Sequence, residues 1–286
     1  MRIAVASGKG GTGKTTVTVS LSLAIHELTK KPITVLDCDV EEPNVHIFLN
    51  PRNKTIEKSY LQSCSFDLDK CIGCGRCAQV CRFNAIAVVK KRPIFFSDLC
   101  HGCGGCILIC EENAISPHPR EIGTVISGDC DDYPYVHLRY GLLNVGEMMS
   151  PPLIEAVLKT NPDNQVTLID APPGTSCPMV NAVKATDFVV LVAEPTAFGL
   201  NDLTIAVDTL RLLHTPFAVI INRDGIGDDR VEKYCNKEDI SILTKIPHSR
   251  TVAQMYSRGE NAWGREPEFT ESITKAAKIL VERFQP

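Results

Sequence analysis

Residues 8–15 read Gly-Lys-Gly-Gly-Thr-Gly-Lys-Thr and follow the short, mainly apolar run Arg2–Ala6. They match the pattern G-x-x-x-x-G-K-[ST], in which a glycine-rich turn connects a strand to a helix. Glycines let backbone N–H groups close around phosphate oxygens, and the start of the helix adds a favourable dipole. We therefore predict a strand at Arg2–Ala6, a phosphate-binding loop, and a helix over residues 14–28.

Two side chains of the loop have the chemistry that a nucleoside triphosphate and its metal require. Lys14 supplies positive charge to the β and γ phosphates, and the Thr15 hydroxyl can ligate Mg²⁺. The loop also contains G-x-G-x-x-G, a dinucleotide-binding pattern, with Asp37 or Asp39 placed for a ribose contact. The Lys-Thr pair favours the triphosphate. The predicted nucleotide-binding residues of the loop are Gly8, Gly10, Gly11, Thr12, Gly13, Lys14, Thr15 and Thr16.

Strand-like and helix-like runs alternate along most of the chain, as in a parallel α/β domain. A cysteine-rich segment interrupts this alternation after the second strand. We predict the α/β class, with a mostly parallel sheet formed by residues 1–62 and 118–286 and an inserted α+β domain at residues 63–117. Further strands are predicted at residues 33–36, 124–127, 166–170, 188–193, 217–221 and 240–246.

Cysteine is the unusual component of the composition. The chain has 286 residues and 13 cysteines, and disulfides are disfavoured in the cytoplasm, so clustered cysteines indicate metal. Phe66 and Asp69 recur as Phe95 and Asp98, each 29 positions later. The same displacement relates Cys71, Cys74, Cys77 and Cys81 to Cys100, Cys103, Cys106 and Cys110. Two copies of one small unit are therefore present.

Each copy has the spacing C-x₂-C-x₂-C-x₃-C, which resembles that of bacterial two-cluster ferredoxins, where the fourth cysteine ligates the other cluster. Arg82 and Glu111 stand where ferredoxins usually have proline, so potentials cannot be carried over. Zinc is the alternative metal, but zinc sites seldom use this spacing twice. The resemblance implies one [4Fe–4S] cluster on Cys71, Cys74, Cys77 and Cys110, and another on Cys100, Cys103, Cys106 and Cys81.

Four segments resemble the MinD/ParA/nitrogenase-iron-protein superfamily, whose phosphate loop is a deviant Walker A with an additional lysine near its start. The segments are residues 9–16 (KGGTGKTT), 37–39 (DCD), 169–174 (IDAPPG) and 220–223 (IINR). The resemblance covers the predicted sheet domain nearly end to end. It implies ATP as the nucleotide, Mg²⁺-dependent hydrolysis of ATP, and a homodimer that forms with ATP.

The same resemblance implies roles for individual residues. Lys9 would reach the phosphates bound to a second copy of the chain, and Lys14 would bind those of its own. Asp39 would orient the attacking water, and Asp170 would be the Walker B acid behind the metal. These roles agree with phosphoryl transfer, which needs charge neutralisation and a positioned water more than covalent catalysis. Adenine recognition would fall to Asn222 and to the backbone near Pro247.

Cys177 follows Asp170 by seven residues. In the nitrogenase iron protein a cysteine at this offset ligates a cluster shared across the dimer, which gives the hypothesis that Cys177 contacts a cluster. The second cysteine of that protein has no clear match, with Cys130 the nearest. The alternative is that Cys177 is a small apolar residue.

Composition excludes several other functions. The net charge is -4, and no run of 18 apolar residues exists, so we expect neither nucleic acid nor a membrane as partner. We expect a cytoplasmic ATPase that couples dimer closure to electron transfer to a partner protein. Alternatives are a carrier that assembles or delivers metalloclusters, a redox sensor, and, disfavoured because no basic amphipathic tail follows the last helix, a MinD-like positioning ATPase.

Overall fold

The computed structural model describes residues 1–159, 166–184 and 186–284, and the chain forms two compact units. The first, here named the sheet unit, comprises Met1–Ile56, Val125–Leu142 and Ile154–Pro286. The second, named the cysteine unit, comprises Glu57–Thr124 and Leu143–Leu153. It contains all of residues 63–117, the segment predicted as an insert.

The elements follow one another in an order that alternates strands with helices over most of the chain. They are β1 (Arg2–Ala6), α1 (Lys14–Thr29), β2 (Ile33–Asp37), α2 (Val45–Leu49), β3 (Pro51–Phe66), α3 (Arg76–Val80), β4 (Ile86–Val89), β5 (Arg92–Phe95), α4 (Gly105–Leu108), β6 (Ile115–Cys130), β7 (Val136–Leu143), α5 (Pro151–Leu158), β8 (Val166–Asp170), α6 (Cys177–Val183), β9 (Phe188–Ala193), α7 (Ala197–Leu212), β10 (Phe217–Asp224), α8 (Arg230–Lys237), β11 (Ile242–Pro247), α9 (Arg250–Ser257) and α10 (Pro267–Phe284).

Over the residues that the structure describes, a nine-stranded sheet has the order β11-β10-β9-β1-β8-β2-β7-β6-β3. Every neighbouring pair from β11 to β7 is parallel. Strands β2, β8 and β9 are buried along their whole length, as expected for a parallel sheet covered on both faces. The predicted α/β class with a mostly parallel sheet is confirmed.

This topology places the phosphate loop. Strand β1 lies between β8 and β9, and β8 separates it from β2. The carboxyl ends of these parallel strands meet at one edge of the sheet, where ligands of open α/β sheets bind. The loop after β1, the acids after β2 and β8, and Asn222 near the end of β10 all lie at this edge.

Two strands at the other side of the sheet are longer than expected. Strands β3 and β6 have 16 residues each, whereas only residues 124–127 were predicted within β6 and none within β3. Strand β3 ends the sheet order, and residues 52–58 are all exposed. An edge strand exposed on both faces has no alternation of apolar and polar residues, so its sequence gives no strand signal.

In the cysteine unit, the backbone repeats as the sequence does. Helices α3 and α4 each begin after a glycine in the left-handed region, Gly75 (φ 79°) and Gly104 (φ 72°). Asn84 (φ 53°) and Asn113 (φ 48°) also correspond. Between the copies, β4 and β5 form an antiparallel hairpin with Ile86 opposite Phe95. Among the described residues, no helix is long and apolar enough to cross a membrane.

Candidate functional site

The phosphate loop borders a cleft of about 500 Å³ at the carboxyl edge of the sheet unit. Most residues predicted for the nucleotide site contribute to its wall, whereas the predicted catalytic acid Asp170 does not line it. Those that line it are Lys9, Gly10, Gly11, Gly13, Lys14, Thr15, Thr16, Asp39, Asn222 and Pro247. Gly8 and Thr12 border a smaller neighbouring cavity.

Asp170, the last residue of β8, is fully buried and contacts two residues that line the cleft, Lys14 and Thr15. Lys14 Nζ donates a hydrogen bond to its Oδ1 at 2.8 Å, and Thr15 Oγ1 donates to its Oδ2 at 2.7 Å. Thr18, one helical turn after Lys14, also donates to Oδ1 at 2.9 Å. Asp170 therefore fixes the cation and the hydroxyl that the sequence assigns to phosphate and Mg²⁺.

The acids after β2 have different surroundings. The Asp37 carboxylate is buried and accepts hydrogen bonds from the backbone N–H groups of Asp39, Asn44 and Val45 at 3.1, 2.9 and 3.0 Å. Asp39 lines the cleft, and its Oδ2 lies 3.8 Å from Lys14 Nζ. Asp37 thus shapes the loop, while Asp39 faces the space that a nucleotide would occupy.

Charge is unevenly balanced around Lys14. Burial acts to lower the pKa of Lys14, but Asp170 and Asp39 outweigh it, and the pKa is raised. Burial raises the pKa of Asp39 to about 6, with Lys14 opposing the rise, and burial together with Asp170 raises that of Asp37 to about 8. The Lys14 ammonium therefore has three acidic side chains near it, those of Asp170, Asp39 and Asp37. A hard divalent cation, which prefers oxygen ligands, fits this excess of acidic groups.

The cleft wall also includes apolar and aromatic residues, which suit a planar, partly apolar group. The Asn222 side chain is buried, and its Nδ2 donates to the backbone oxygen of Thr12 at 2.7 Å. Asn222 therefore braces the phosphate loop, a contact that comes in addition to the adenine role expected for it. Among these apolar and aromatic residues are Ile246, Pro247, Val252, Ala253, Tyr256 and Phe269.

Lys9 makes an ion pair within its own chain. Its Nζ lies 2.9 Å from Oε2 of Glu194, a carboxylate that is only 8% exposed. Arg223 Nη1 donates to the other oxygen of the same carboxylate. Glu194 follows β9 and was not predicted as a site residue. The cation expected to act on a second copy is therefore held by a carboxylate of its own subunit.

Two cavities in the cysteine unit divide the eight repeat cysteines. The first is lined by Cys71, Cys74, Cys77 and Cys110. The second is lined by Cys81, Cys100, Cys103 and Cys106, together with Cys64. The structure thus brings the cysteines together in the crosswise sets that the spacing indicates, with the fourth cysteine of each copy beside the other copy's first three.

The donor chemistry of both cavities fits an iron–sulfur cluster. Four thiols line the first cavity and five line the second, and backbone N–H groups donate to several of them. Ala85 and Ala114 donate to Cys81 Sγ and Cys110 Sγ at 3.3 and 3.4 Å, at equivalent positions of the two copies. Such hydrogen bonds stabilise electron-rich sulfur. Within the part of the chain that the structure describes, no three Cys, His, Asp or Glu side chains are grouped for a single metal ion.

Cys177 is the first residue of α6 and is exposed. Cys130, the nearest match for a second such ligand, is buried in the core of the sheet unit. An exposed thiol at a helix start is accessible to a second molecule, and its contact with a cluster stays a prediction.

Sequence reasoning missed Thr18, Glu194 and Cys64. Thr18 had a usable signal, because it lies four residues after Lys14 and so faces the same side of α1. Glu194 had none, since its partners are brought to it only by the sheet. Cys64 lies outside the repeated pattern of cysteines, which is why the repeat did not point to it.

The loop glycines supply a test of this geometry. Gly13 has φ 89°, and a Cβ there would lie 2.3 Å from Asn222 Nδ2, whereas a Cβ at Gly10 would meet nothing within 4 Å. Because a left-handed conformation costs a non-glycine residue about 1–2 kcal/mol and the Asn222 bond about 1 kcal/mol more, Gly13→Ala should lower the free energy of unfolding by about 2–3 kcal/mol. Gly10→Ala should change it by less than about 0.5 kcal/mol. Urea denaturation without nucleotide measures both, and equal effects would contradict the geometry.

Comparisons with known proteins agree with this site. A model of the CobQ/CobB/MinD/ParA nucleotide binding domain matches residues 3–262. An uncharacterised protein of Methanocaldococcus jannaschii is 36% identical over 230 residues, which are 80% of each chain. An iron-sulfur cluster carrier protein of Aquifex aeolicus is 23% identical over 296 residues, covering 97% of this chain and 66% of that protein.

Among solved structures, the MinD cell division protein of Aquifex aeolicus superposes with a TM-score of 0.59 at 18% identity, over 100% of this chain and 98% of that one. At this identity the likeness shows the fold alone. The family model and the phosphate-loop geometry together confirm the superfamily that the sequence indicates. The chain belongs to the CobQ/CobB/MinD/ParA nucleotide-binding family and is a P-loop ATPase of the MinD/ParA type.

Proposed function

We propose that this ATPase holds two [4Fe–4S] clusters and couples nucleotide-driven closure of a homodimer to electron transfer to a partner protein. One observation carries the proposal. In a chain with a P-loop ATPase fold, eight cysteines divide crosswise between two separate cavities. A single zinc or a scattered set of free thiols gives no reason for that division.

The residues that would hold the clusters follow from the two cavities. Cys71, Cys74, Cys77 and Cys110 would hold one, and Cys81, Cys100, Cys103 and Cys106 would hold the other. Bound clusters of this type supply one-electron redox chemistry. The chain contributes the thiolates and the backbone N–H groups that stabilise them, and it leaves Cys74 and Cys103 exposed to solvent.

The ATPase half would work by positioning and charge. Lys14 would neutralise the β and γ phosphates, and Thr15 would ligate Mg²⁺ while Asp170 holds both side chains in place. Asp39 would orient the attacking water. Lys9 would contact the phosphates bound to a second copy, so hydrolysis would require the homodimer.

A second candidate function is the assembly or delivery of metalloclusters. The relative from Aquifex aeolicus is named an iron-sulfur cluster carrier protein and matches nearly the whole chain. The exposure of Cys74 and Cys103 would also allow a bound cluster to be handed on. The two functions differ in what leaves the protein, electrons in one and iron in the other.

The first experiment is anaerobic purification followed by iron and sulfide analysis, where we expect about eight irons per chain, four for each cluster.

The reduced protein is then mixed with a one-electron acceptor protein, and cluster oxidation is followed by absorbance with MgATP or MgADP. We expect faster oxidation with MgATP and no such difference for Lys14→Met. Far fewer irons, or rates that ignore nucleotide in the wild type, would contradict the proposal. Transfer of ⁵⁷Fe to an apoferredoxin would favour the carrier function.

The Lys9–Glu194 pair leads to a prediction on assembly. Glu194→Gln should release Lys9 for a second copy and so lower the ATP concentration needed for half-maximal dimer formation about fivefold, the equivalent of one partly exposed ion pair. Light scattering with a non-hydrolysable ATP analogue measures this. Glu238→Gln, which removes the exposed pair with Arg211, should leave the requirement unchanged. A higher ATP requirement in Glu194→Gln would show that the pair does not oppose assembly.

The raised pKa of Asp39 leads to a prediction on pH. Because a water-orienting carboxylate must be ionised and burial raises the pKa of Asp39 to about 6, kcat/KM for ATP should fall about tenfold from pH 7 to pH 5. Glu42→Gln, which removes the charge of another carboxylate that lines the cleft, should show the same fall in kcat/KM between pH 7 and pH 5. A profile without a step between pH 5 and 7 would exclude Asp39 from this role.

A further inference from the structure

A fifth cysteine lines the second cysteine cavity. Cys64, near the end of β3, is buried and borders the cavity together with Cys81, Cys100, Cys103 and Cys106. The neighbouring Cys106 thiol and burial raise the pKa of its own thiol. It therefore belongs to the cavity and is more than a small buried residue elsewhere in the core.

The two cavities have partly equivalent linings, and Cys64 is one of several differences between them: Arg76 and Glu112 line only the first, and His101 lines only the second. Their linings correspond through the 29-residue repeat: Phe66 borders the first cavity where Phe95 borders the second, and Ile115 corresponds to Ile86 in the same way. The counterpart of Cys64 is Pro93, which lines the first cavity. Proline has neither a thiol nor a backbone N–H, so the first cavity has no donor at this position.

A second observation also distinguishes this side of the second cavity. Ser63 lines it and is only 4% exposed, and its Oγ has no hydrogen-bond partner among the described residues. Buried hydroxyls are nearly always hydrogen-bonded in native proteins. Its counterpart in the repeat, Arg92, is not among the residues that line the first cavity. The strand segment at residues 63–64 thus adds polar groups to one cavity alone.

The chemistry of a cluster decides what a fifth thiol can do. A [4Fe–4S] cluster takes four cysteine thiolates, and the crosswise set already supplies four to each cavity. Cys64 is therefore not needed as a ligand, and its protonated thiol can donate a hydrogen bond to a ligating sulfur of Cys106 or Cys100. Such a bond withdraws electron density from sulfur and stabilises the more negative, reduced cluster, which raises its reduction potential.

We propose that Cys64 is a tuning residue of the second cavity, whose thiol donates a hydrogen bond to the Cys106 or Cys100 sulfur and raises the reduction potential of a cluster bound there. This inference rests on the two clusters of the proposed function and is independent of coupling to ATP. Reduction of that cluster takes up one electron from an external one-electron donor, and the Cys64 proton is retained.

Redox titration of the anaerobically purified full chain, followed by electron paramagnetic resonance, tests the inference. Cys64→Ala should keep all its iron and lower the potential of one cluster. A lost hydrogen bond corresponds to a change of about three- to tenfold in the ratio of reduced to oxidised cluster at a given solution potential. Cys64→Ser keeps a donor and should restore much of the wild-type value. Cys235→Ala, which removes a buried cysteine of α8 in the sheet unit, is the control and should leave both potentials unchanged.

Two results would overturn the inference. If Cys64→Ala loses about four irons per chain, Cys64 is a ligand instead of a donor. If Cys64→Ala retains its iron and both potentials match the wild type, the thiol does not tune the site. A wild-type protein with far fewer than eight irons would instead contradict the proposed function, before any variant is compared.

Discussion

The buried carboxylate of Asp170 is the constraint on which the nucleotide site depends. An ionised carboxylate in the core is tolerated only when its oxygens are paired, and here an ammonium and two hydroxyls from the first turns of α1 supply the partners. Their alignment requires β8 beside β1, with the register Val5 opposite Asp170. The sheet order and register therefore place the acid at the phosphate loop. A shift of one residue in the pairing of β8 with β1 would separate the Asp170 carboxylate from Lys14 and Thr15.

The cysteine unit depends on a different constraint, the approximate two-fold repeat of its backbone. Equivalent glycine and asparagine residues take the same left-handed conformations in both copies, so each copy presents three thiols to its own cavity and one to the other. Symmetry of this kind yields two nearly equal sites from a single short pattern. Any functional difference between them must then come from the positions at which the copies differ.

Much of this organisation could be predicted because its signals lie in contiguous stretches of the sequence. The phosphate loop and the cysteine spacing are contiguous patterns, and the buried strands are continuous apolar runs whose ends carry Asp39, Asp170 and Asn222. Strand β7 also alternates buried and exposed residues, a period-two signal that could have been recognised. Glu194 could not be recognised, because Lys9 lies far from it in the sequence and is brought near only by the pairing of β1 with β9.

Strand β3 has a consequence for how copies of this chain associate. It ends the sheet order, and its exposed residues 52–58 include Arg52, Lys54 and Lys58. The unpaired backbone N–H and C=O groups of an edge strand can pair with a strand from another molecule. Lysine and arginine side chains on the edge strand oppose such pairing through their charge and hydration. Growth of the sheet into fibres or swapped oligomers is thereby disfavoured along this border.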